Sequence, residues 1–394
     1  MIRQLLDVLA GAEWRAEPGW DWERFAEACD HHQVAPLVYC RLNPLPAGAV
    51  PPGLLAHLRS RFYRMSSKSY VLANHLVAWT GRLEAEGIPV LVYKGPAVAL
   101  EAYGDLALRE FEDLDLLIHP EDVERARHVF ALAGLKILPA PGYEPNFRRV
   151  RREHHHDAFV APDESHYVEL HWQLGGNLWR SFGPDVARLW ERTESLQLPR
   201  GRVPTMCRED LFLALCFHGA KHRWWCLKWL LDVAEMLRKA ESWDWGRIEE
   251  MLVDRPRARA SASLGVLLAQ ELLGVEAPAA AERVLPVSEK VRAVGDAIRA
   301  EILTRGHCED DPHRTLLGLE DRVWARVRYR CRLWLRVYVR VNARDRAALQ
   351  LPRWLGFLYG LVRPVRLIIK YGGRLLRGKG QARTPTPLTS SRRS

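Results

Sequence analysis

Two aspartates in the run REFEDLDLLI (residues 109–118) constrain the fold of this chain more than any other feature. The segments Val90 to Tyr93 and Leu116 to Ile118 have the apolar, β-rich composition of strands. In a strand, residues two apart point to the same face, so Asp113 and Asp115 are expected to lie side by side. Their mutual repulsion is relieved either by water on a solvated face or by a divalent cation, and Mg²⁺ prefers such oxygen ligands.

The composition is that of a globular chain with room for two or three domains. The chain has 394 residues, of which 48% are hydrophobic. Its seven cysteines include no C-x-x-C pair, which favours reduced thiols and a cytoplasmic protein over a disulfide framework. The N-terminal run MIRQLLDVLAGAEW predicts a first helix rather than a signal peptide, and no run approaches the roughly 18 apolar residues of a membrane span.

Charge is distributed unevenly along the chain. The net charge is +10, but residues 321–394 hold 19 Lys and Arg against two acidic residues, a charge of +17, which leaves −7 on the first 320 residues. This asymmetry predicts an acidic partner for the C-terminal part, either nucleic acid, an anionic membrane surface or an acidic protein face. The alternative is an amphipathic helix over residues 322–343 that packs on the body with a solvated arginine face.

Hydrophobic periodicity predicts an α+β fold with helices on both sides of a small mixed sheet. Residues 1–86 have helical spacing, and Gly87 ends that region. The run 88–93 predicts a buried strand, and 114–118 predicts a second. The pattern further predicts helices over 96–102 and 120–133, and a hairpin of 155–161 with 166–172. From Pro184 to about Leu303 the pattern is helical again, and residues 381–394 are predicted to be disordered.

Four short motifs contain residues of types that bind phosphate groups or metal ions. Lys94 and Gly95 close the first strand, where glycine lets a phosphate approach the backbone and a helix start supplies N–H donors. Arg109 precedes the two aspartates, and VELHW (168–172) contains a further carboxylate, Glu169. The fourth motif, HGAKHRWWCLKWLLD (218–232), places Lys221 on a helix between two histidines.

In this order the motifs resemble the nucleotidyltransferase superfamily that includes DNA polymerase β, and within it the uncharacterised bacterial nucleotidyltransferase family. The resemblance spans roughly residues 20–375. Its segments are VLVYKGPAVAL (90–100), LREFEDLDLLI (108–118), YVELHWQL (167–174), HGAKHRWWCLKWLLD (218–232) and LYGLVRPVRLIIKYGG (358–373).

The resemblance implies Mg²⁺-dependent transfer of a nucleoside monophosphate from an NTP to an acceptor hydroxyl or amine. Asp113, Asp115 and Glu169 would be the catalytic residues and the ligands of two Mg²⁺ ions. The NTP phosphates would be bound by four other residues of the motifs: Lys94, Gly95, Arg109 and Lys221. The resemblance does not identify the acceptor, which is a small molecule, a glycan or lipid-linked intermediate, a protein or an RNA end.

One departure from the superfamily pattern leaves an alternative function open. Superfamily members usually have Gly-Ser after the first strand, whereas Pro96 follows Gly95 here and offers neither a hydroxyl nor an N–H. The alternative is a catalytically inactive protein that binds or regulates. In its most specific version, this protein associates peripherally with the inner face of the membrane and acts in envelope polysaccharide biosynthesis.

The implied organisation has five segments. They are an N-terminal helical region (1–86), a nucleotidyltransferase-like core (87–183), a helical domain (184–310), a basic amphipathic region (311–380) and a disordered tail (381–394).

Several residues also have a structural interpretation. Lys94 is expected either to contact phosphate or to pair with Asp113, and Arg109 either to contact phosphate or to pair with Asp113 or Glu112. His218 and His222 fit satisfied helix histidines better than a zinc site, because no third soft ligand is near in sequence. The run 154–156 fits a polar edge strand better than a metal site, and the tryptophans at 224, 225 and 229 fit a core better than a base-stacking surface.

Overall fold

The computed structural model describes residues 1–12, 21–138, 155–175, 188–309 and 311–320, with the single positions 183, 323, 324, 327 and 331. Residues 1–140 and 145–321 form one compact unit, and residues 141–144 and 322–394 are grouped into a second. Most of the predicted helix over 322–343, the motif at 358–373 and the tail lie outside the described residues. Within the described residues, no helix is both long enough and apolar enough to cross a membrane.

Four helices precede the sheet in the described part of residues 1–89, as the helical spacing predicts. Asp21 caps the second helix by accepting a hydrogen bond from the N–H of Arg24. The fourth helix begins at Pro52, where the missing N–H costs nothing, and the chain turns away at Gly87 with a φ of 66°. The four are α1 (Ile2–Ala10), α2 (Trp22–His31), α3 (Ala35–Leu42) and α4 (Pro52–Ala85).

A seven-stranded mixed sheet forms the centre of the first unit. Its strands are β1 (Val90–Val92), β2 (Asp113–Ile118), β3 (Lys136–Leu138), β4 (His156–Val160), β5 (Tyr167–His171), β6 (Thr193–Leu198) and β7 (Gly201–Met206), in the order β3-β4-β5-β2-β1-β7-β6. Two neighbour pairs, β2 with β5 and β1 with β7, are parallel, and the others are antiparallel. The helices α5 (Pro96–Val98) and α6 (Val123–Leu132) connect strands of the sheet.

Two hydrophobic cores cover the two faces of the sheet. Leu114, Leu116 and Ile118 of β2 pack into a core shared with α4 and α6. Leu117 points the other way, into the larger core formed mainly by helices. Because strand residues alternate between faces, Asp113 and Asp115 share the face of Leu117 and are directed toward the helical half of the unit.

The C-terminal part of this unit begins with a hairpin and continues with helices. Residues 193–206 were expected to be helical, and this expectation is wrong, because they form the antiparallel pair of β6 and β7. Their sequence TESLQL and GRVPTM alternates polar and apolar residues with the period of a strand. The helices that follow are α7 (Arg208–Lys221), α8 (Leu227–Leu237), α9 (Trp245–Met251), α10 (Pro256–Leu273), α11 (Ala279–Val284), α12 (Glu289–Arg305) and α13 (Pro312–Gly318).

Candidate active site

The register of two parallel strands brings the acidic residues together. Asp115 of β2 is the direct partner of Glu169 of β5, and Asp113 is the partner of Tyr167. Asp113, Asp115 and Glu169 all line one cavity of about 460 Å³. The predicted carboxylates therefore meet on one face of the sheet.

His171 joins the two strands at this point. Its Nε2 donates to Oδ1 of Asp115 over 3.0 Å and to Oε2 of Glu169 over 3.1 Å. The ligand atoms of Asp115, Glu169 and His171 all lie within 4.8 Å of one another. The sequence interpretation gave His171 no role, although its position two residues after Glu169 on the same strand places both side chains on one face.

Lys94 forms an ion pair with the same aspartate. Its Nζ donates to Oδ1 of Asp115 over 2.9 Å, and the ammonium lies 5.1 Å from the centre of the Tyr93 ring. The structural interpretation of Lys94 expected an ion pair with Asp113, but the partner is Asp115, whose side chain is only 3% exposed. Burial lowers the pKa of Lys94, but Asp115, Tyr93 and Glu169 together outweigh it and raise that pKa above the ordinary value, so Lys94 stays protonated.

The three carboxyl groups differ in their electrostatic environment. Burial raises the pKa of Asp115, but Lys94 and His171 outweigh it and hold that pKa below the ordinary value. Burial raises the pKa of Glu169, but the hydrogen bond from His171 and the electrostatic effects of His171 and His156 together lower it below the ordinary value. The pKa of Asp113 is raised to about 6 by burial and by the charges of Asp115 and Glu169. Negative charge at this face is therefore least compensated at Asp113.

Arg109 is held by a carboxylate far away in the sequence. Its Nε and Nη2 donate to the two oxygens of Asp232, each over 2.8 Å. The hydroxyl of Tyr103 donates to Oδ1 of Asp232 over 2.9 Å. Arg109 therefore pairs with Asp232, and not with Asp113 or Glu112 as the structural interpretation expected. Arg109 still lines the cavity, and its contact with phosphate stays a prediction.

The turn after β1 adopts a conformation that suits glycine. Gly95 has a φ of 52°, a left-handed value that L side chains rarely adopt. Pro96 then begins α5, which is three residues long. Pro96 has no N–H, and the N–H of Ala97 already donates to the carbonyl oxygen of Lys94 over 3.1 Å. The role of Gly95 in phosphate binding stays a prediction.

The helices α7 and α8 form the opposite wall of the cavity. Lys221, singled out by its motif, lines this wall together with Lys228, which the sequence interpretation missed. Trp229 also lines it and packs against the rings of His218 and His222, at centroid distances of 4.7 and 5.1 Å.

Two further histidines line the cavity from β4 and the residue before it. His156 is the strand partner of His171, and their rings stack with centroids 4.9 Å apart. Burial lowers the pKa of His155 to about 2 and that of His156 to about 4, so both are neutral. The expectation of an edge strand needs correction, because β4 lies between β3 and β5. His154 lies outside the described residues.

Together these features define an α+β protein whose sheet presents three carboxylates to one cavity. Residues 18–274 match the family of uncharacterised nucleotidyltransferases, and the chain belongs to that family. This match confirms the family resemblance expected from the motifs.

The chain is also similar to the crystal structure of an antigenic nucleotidyltransferase-like protein from Paracoccidioides brasiliensis, with 14% identity and a TM-score of 0.28, over 50% of this chain and 91% of that one. A comparison with curated proteins gave no match.

Proposed function

We propose that the protein transfers a nucleoside monophosphate from an NTP to an acceptor hydroxyl or amine, with Mg²⁺ as its metal. One observation carries the proposal: Asp115 and Glu169 are direct partners in the parallel pairing of β2 and β5, and Asp113 lies on the same face two residues earlier. Membership of the nucleotidyltransferase family supports the reaction class.

The donor set fits a hard divalent cation. Carboxylate oxygens from two adjacent strands line one cavity, and carboxylates are the ligands that Mg²⁺ prefers. Asp113, Asp115 and Glu169 would hold the metal, and two ions are the arrangement we propose. When bound, such ions stabilise the negative charge that develops on the attacking and leaving oxygens.

The protein's own side chains prepare these ligands. Lys94 and His171 lower the pKa of Asp115 and so favour its ionised form, which is the form that binds a cation. His171 fixes the orientation of Asp115 and Glu169 by donating to both. The side chain of Glu169 is 28% exposed, and we propose that it also accepts the proton that leaves the acceptor.

A second candidate function is binding or regulation without transfer. It is favoured by the turn after β1, where Pro96 lacks an N–H and Ala97 donates to Lys94, so this turn supplies few donors to a phosphate. The Nζ of Lys94 is also engaged by Asp115. Under this hypothesis the cavity binds a nucleotide that is not consumed.

A labelling experiment separates the two candidates. The purified full chain is incubated with Mg²⁺, labelled NTPs and cell extract, and transfer is measured as label on a macromolecule or small acceptor. We expect label with the wild type and its loss with Asp113→Asn and Asp115→Asn, while Glu121→Gln, an exposed carboxylate outside the cavity, serves as the matched control. Equal labelling by the double variant would contradict transfer at this site. Nucleotide binding without any labelling would favour the second candidate.

A further inference from the structure

Lys228 places a positive charge in the cavity wall opposite the carboxylates. It is the second residue of α8, and it lines the same cavity as Asp113. Its Nζ donates to the side-chain oxygen of Gln33 and, over 3.1 Å, to the backbone oxygen of Glu110. Its charge also lowers the pKa of Asp113, so the two groups lie within electrostatic reach of each other.

The charge of Lys228 is less compensated than that of two other cations in the cavity. Lys94 is paired with Asp115, and Arg109 with Asp232. The partners of Lys228 are an amide oxygen and a peptide oxygen, which carry no net charge, and no carboxylate of the described residues forms an ion pair with it. A cation held in a partly buried wall by neutral acceptors is stabilised further by an anionic ligand.

The ammonium of Lys228 also has donor capacity left for a ligand. An ammonium has three N–H donors, and two of them are directed to Gln33 and Glu110 among the described residues. These two contacts fix the position of Nζ, so little side-chain entropy is lost when the third donor meets an anion. The turn at Gly95 and Pro96, in contrast, supplies few donors to a phosphate.

We infer that Lys228 forms the polyphosphate subsite of this cavity and binds phosphate oxygens of the nucleotide opposite Asp113, Asp115 and Glu169. The inference rests on the proposed function, because it takes the ligand to be an NTP. It assigns the phosphate-binding role chiefly to α8, and not to the turn that follows β1.

Binding of Mg²⁺-tripolyphosphate tests this inference, because the probe carries the phosphates of an NTP and no nucleoside. Affinity of the full chain is measured by calorimetry. We expect Lys228→Met to weaken binding by about 10- to 100-fold, the loss of one charge-assisted contact, and Lys228→Arg to stay close to wild type. Lys239→Met is the matched control, since Lys239 likewise donates to a backbone oxygen, that of Glu101, but outside the cavity.

A second measurement covers the case in which Lys228→Met does not fold. Acylation of lysines in the wild type is followed by peptide mass spectrometry with and without the probe, and Lys228 is expected to be protected while Lys239 is not. Unchanged affinity of folded Lys228→Met, unchanged acylation of Lys228, or no binding of the probe to the wild type would each overturn the inference. If the probe binds through Lys228 but no acceptor is labelled in the transfer assay, the inference stands and the proposed transfer fails.

Discussion

Arg109 and Asp232 form a bidentate ion pair, with both N···O distances at 2.8 Å, that joins the loop before β2 to α8. Arg109 is 6% exposed and Asp232 is fully buried. Because this loop leads directly into Asp113, the pair ties the acidic face of the sheet to the helical wall of the cavity.

Removing Asp232 is expected to destabilise the fold strongly. Asp232→Ala leaves the guanidinium of Arg109 buried without its partner, which costs about 3–5 kcal/mol in the free energy of unfolding. Urea denaturation followed by circular dichroism measures this loss. Glu191→Gln is the control, since it alters an exposed pair with Arg188 whose charges are 4.0 Å apart, and we expect it to leave stability unchanged. A similar small effect of both variants would contradict the structural role of the Arg109–Asp232 pair.

Mg²⁺ is expected to stabilise the folded protein through Glu169. An ion that binds only the folded state raises its unfolding temperature by mass action. We expect the Tm to rise with Mg²⁺ concentration in the wild type and to respond much less in Glu169→Gln, and a chelator should reverse the rise. Glu121→Gln should respond like the wild type, because Glu121 is exposed and does not line the cavity. An identical Mg²⁺ response in Glu169→Gln would argue against Glu169 as a ligand.

His32 is expected to make the fold sensitive to acid. Its Nε2 donates to the carbonyl oxygen of Gly306 over 3.0 Å, and its Nδ1 accepts from the N–H of Leu227 over 3.3 Å, so the contact with Leu227 needs a neutral ring. Burial, with help from the nearby His31, lowers the pKa of His32 to about 3.

The sign of this effect follows from the two pKa values of His32. The unfolded chain takes up the proton at its ordinary pKa near 6.5, before the folded chain does, so the stabilisation is complete above about pH 6.5 and is lost as the pH falls toward 3. Each pKa unit between the unfolded and folded states of His32 corresponds to at most about 1.4 kcal/mol in the free energy of unfolding. Urea denaturation between pH 4 and 7 should give a shallower pH dependence for His32→Gln than for the wild type. Parallel curves would show that His32 is not the group responsible.

Gly219 is expected to tolerate no side chain. A Cβ at this position of α7 would lie 2.1 Å from the ring of Trp224, which is fully buried. Gly219→Ala should therefore lower the free energy of unfolding by about 1–3 kcal/mol or more through overpacking. Gly81→Ala is the matched control, because it changes an exposed glycine of α4 whose Cβ meets nothing within 4 Å. That variant should raise stability by about 0.5–1 kcal/mol, since alanine is the better helix former. Equal effects of the two substitutions would contradict the close packing of α7 on Trp224.

Local patterns in the sequence were sufficient for much of the fold and for the acidic residues. The alternation of Asp113, Asp115 and Leu117 with Leu114 and Leu116 already predicts which side chains share a face, because a strand repeats every two residues. Helical spacing similarly predicts α4, α7 and α8. The hairpin of β6 and β7 was missed, although its alternation is present in the sequence, because neighbouring helical patterns were extended across it.

Tertiary structure alone decided which distant groups meet. Residues 109 and 232 are 123 positions apart, and the partner of Arg109 followed from the packing of α8 against the loop before β2. The parallel register that places Glu169 beside Asp115, and the cavity that brings Lys228 to face Asp113, likewise arise from packing. Periodicity and backbone propensity act over a few residues and therefore predict elements and faces. The partner of a buried charge is selected by the whole set of packed elements, and no local pattern in this chain specifies it.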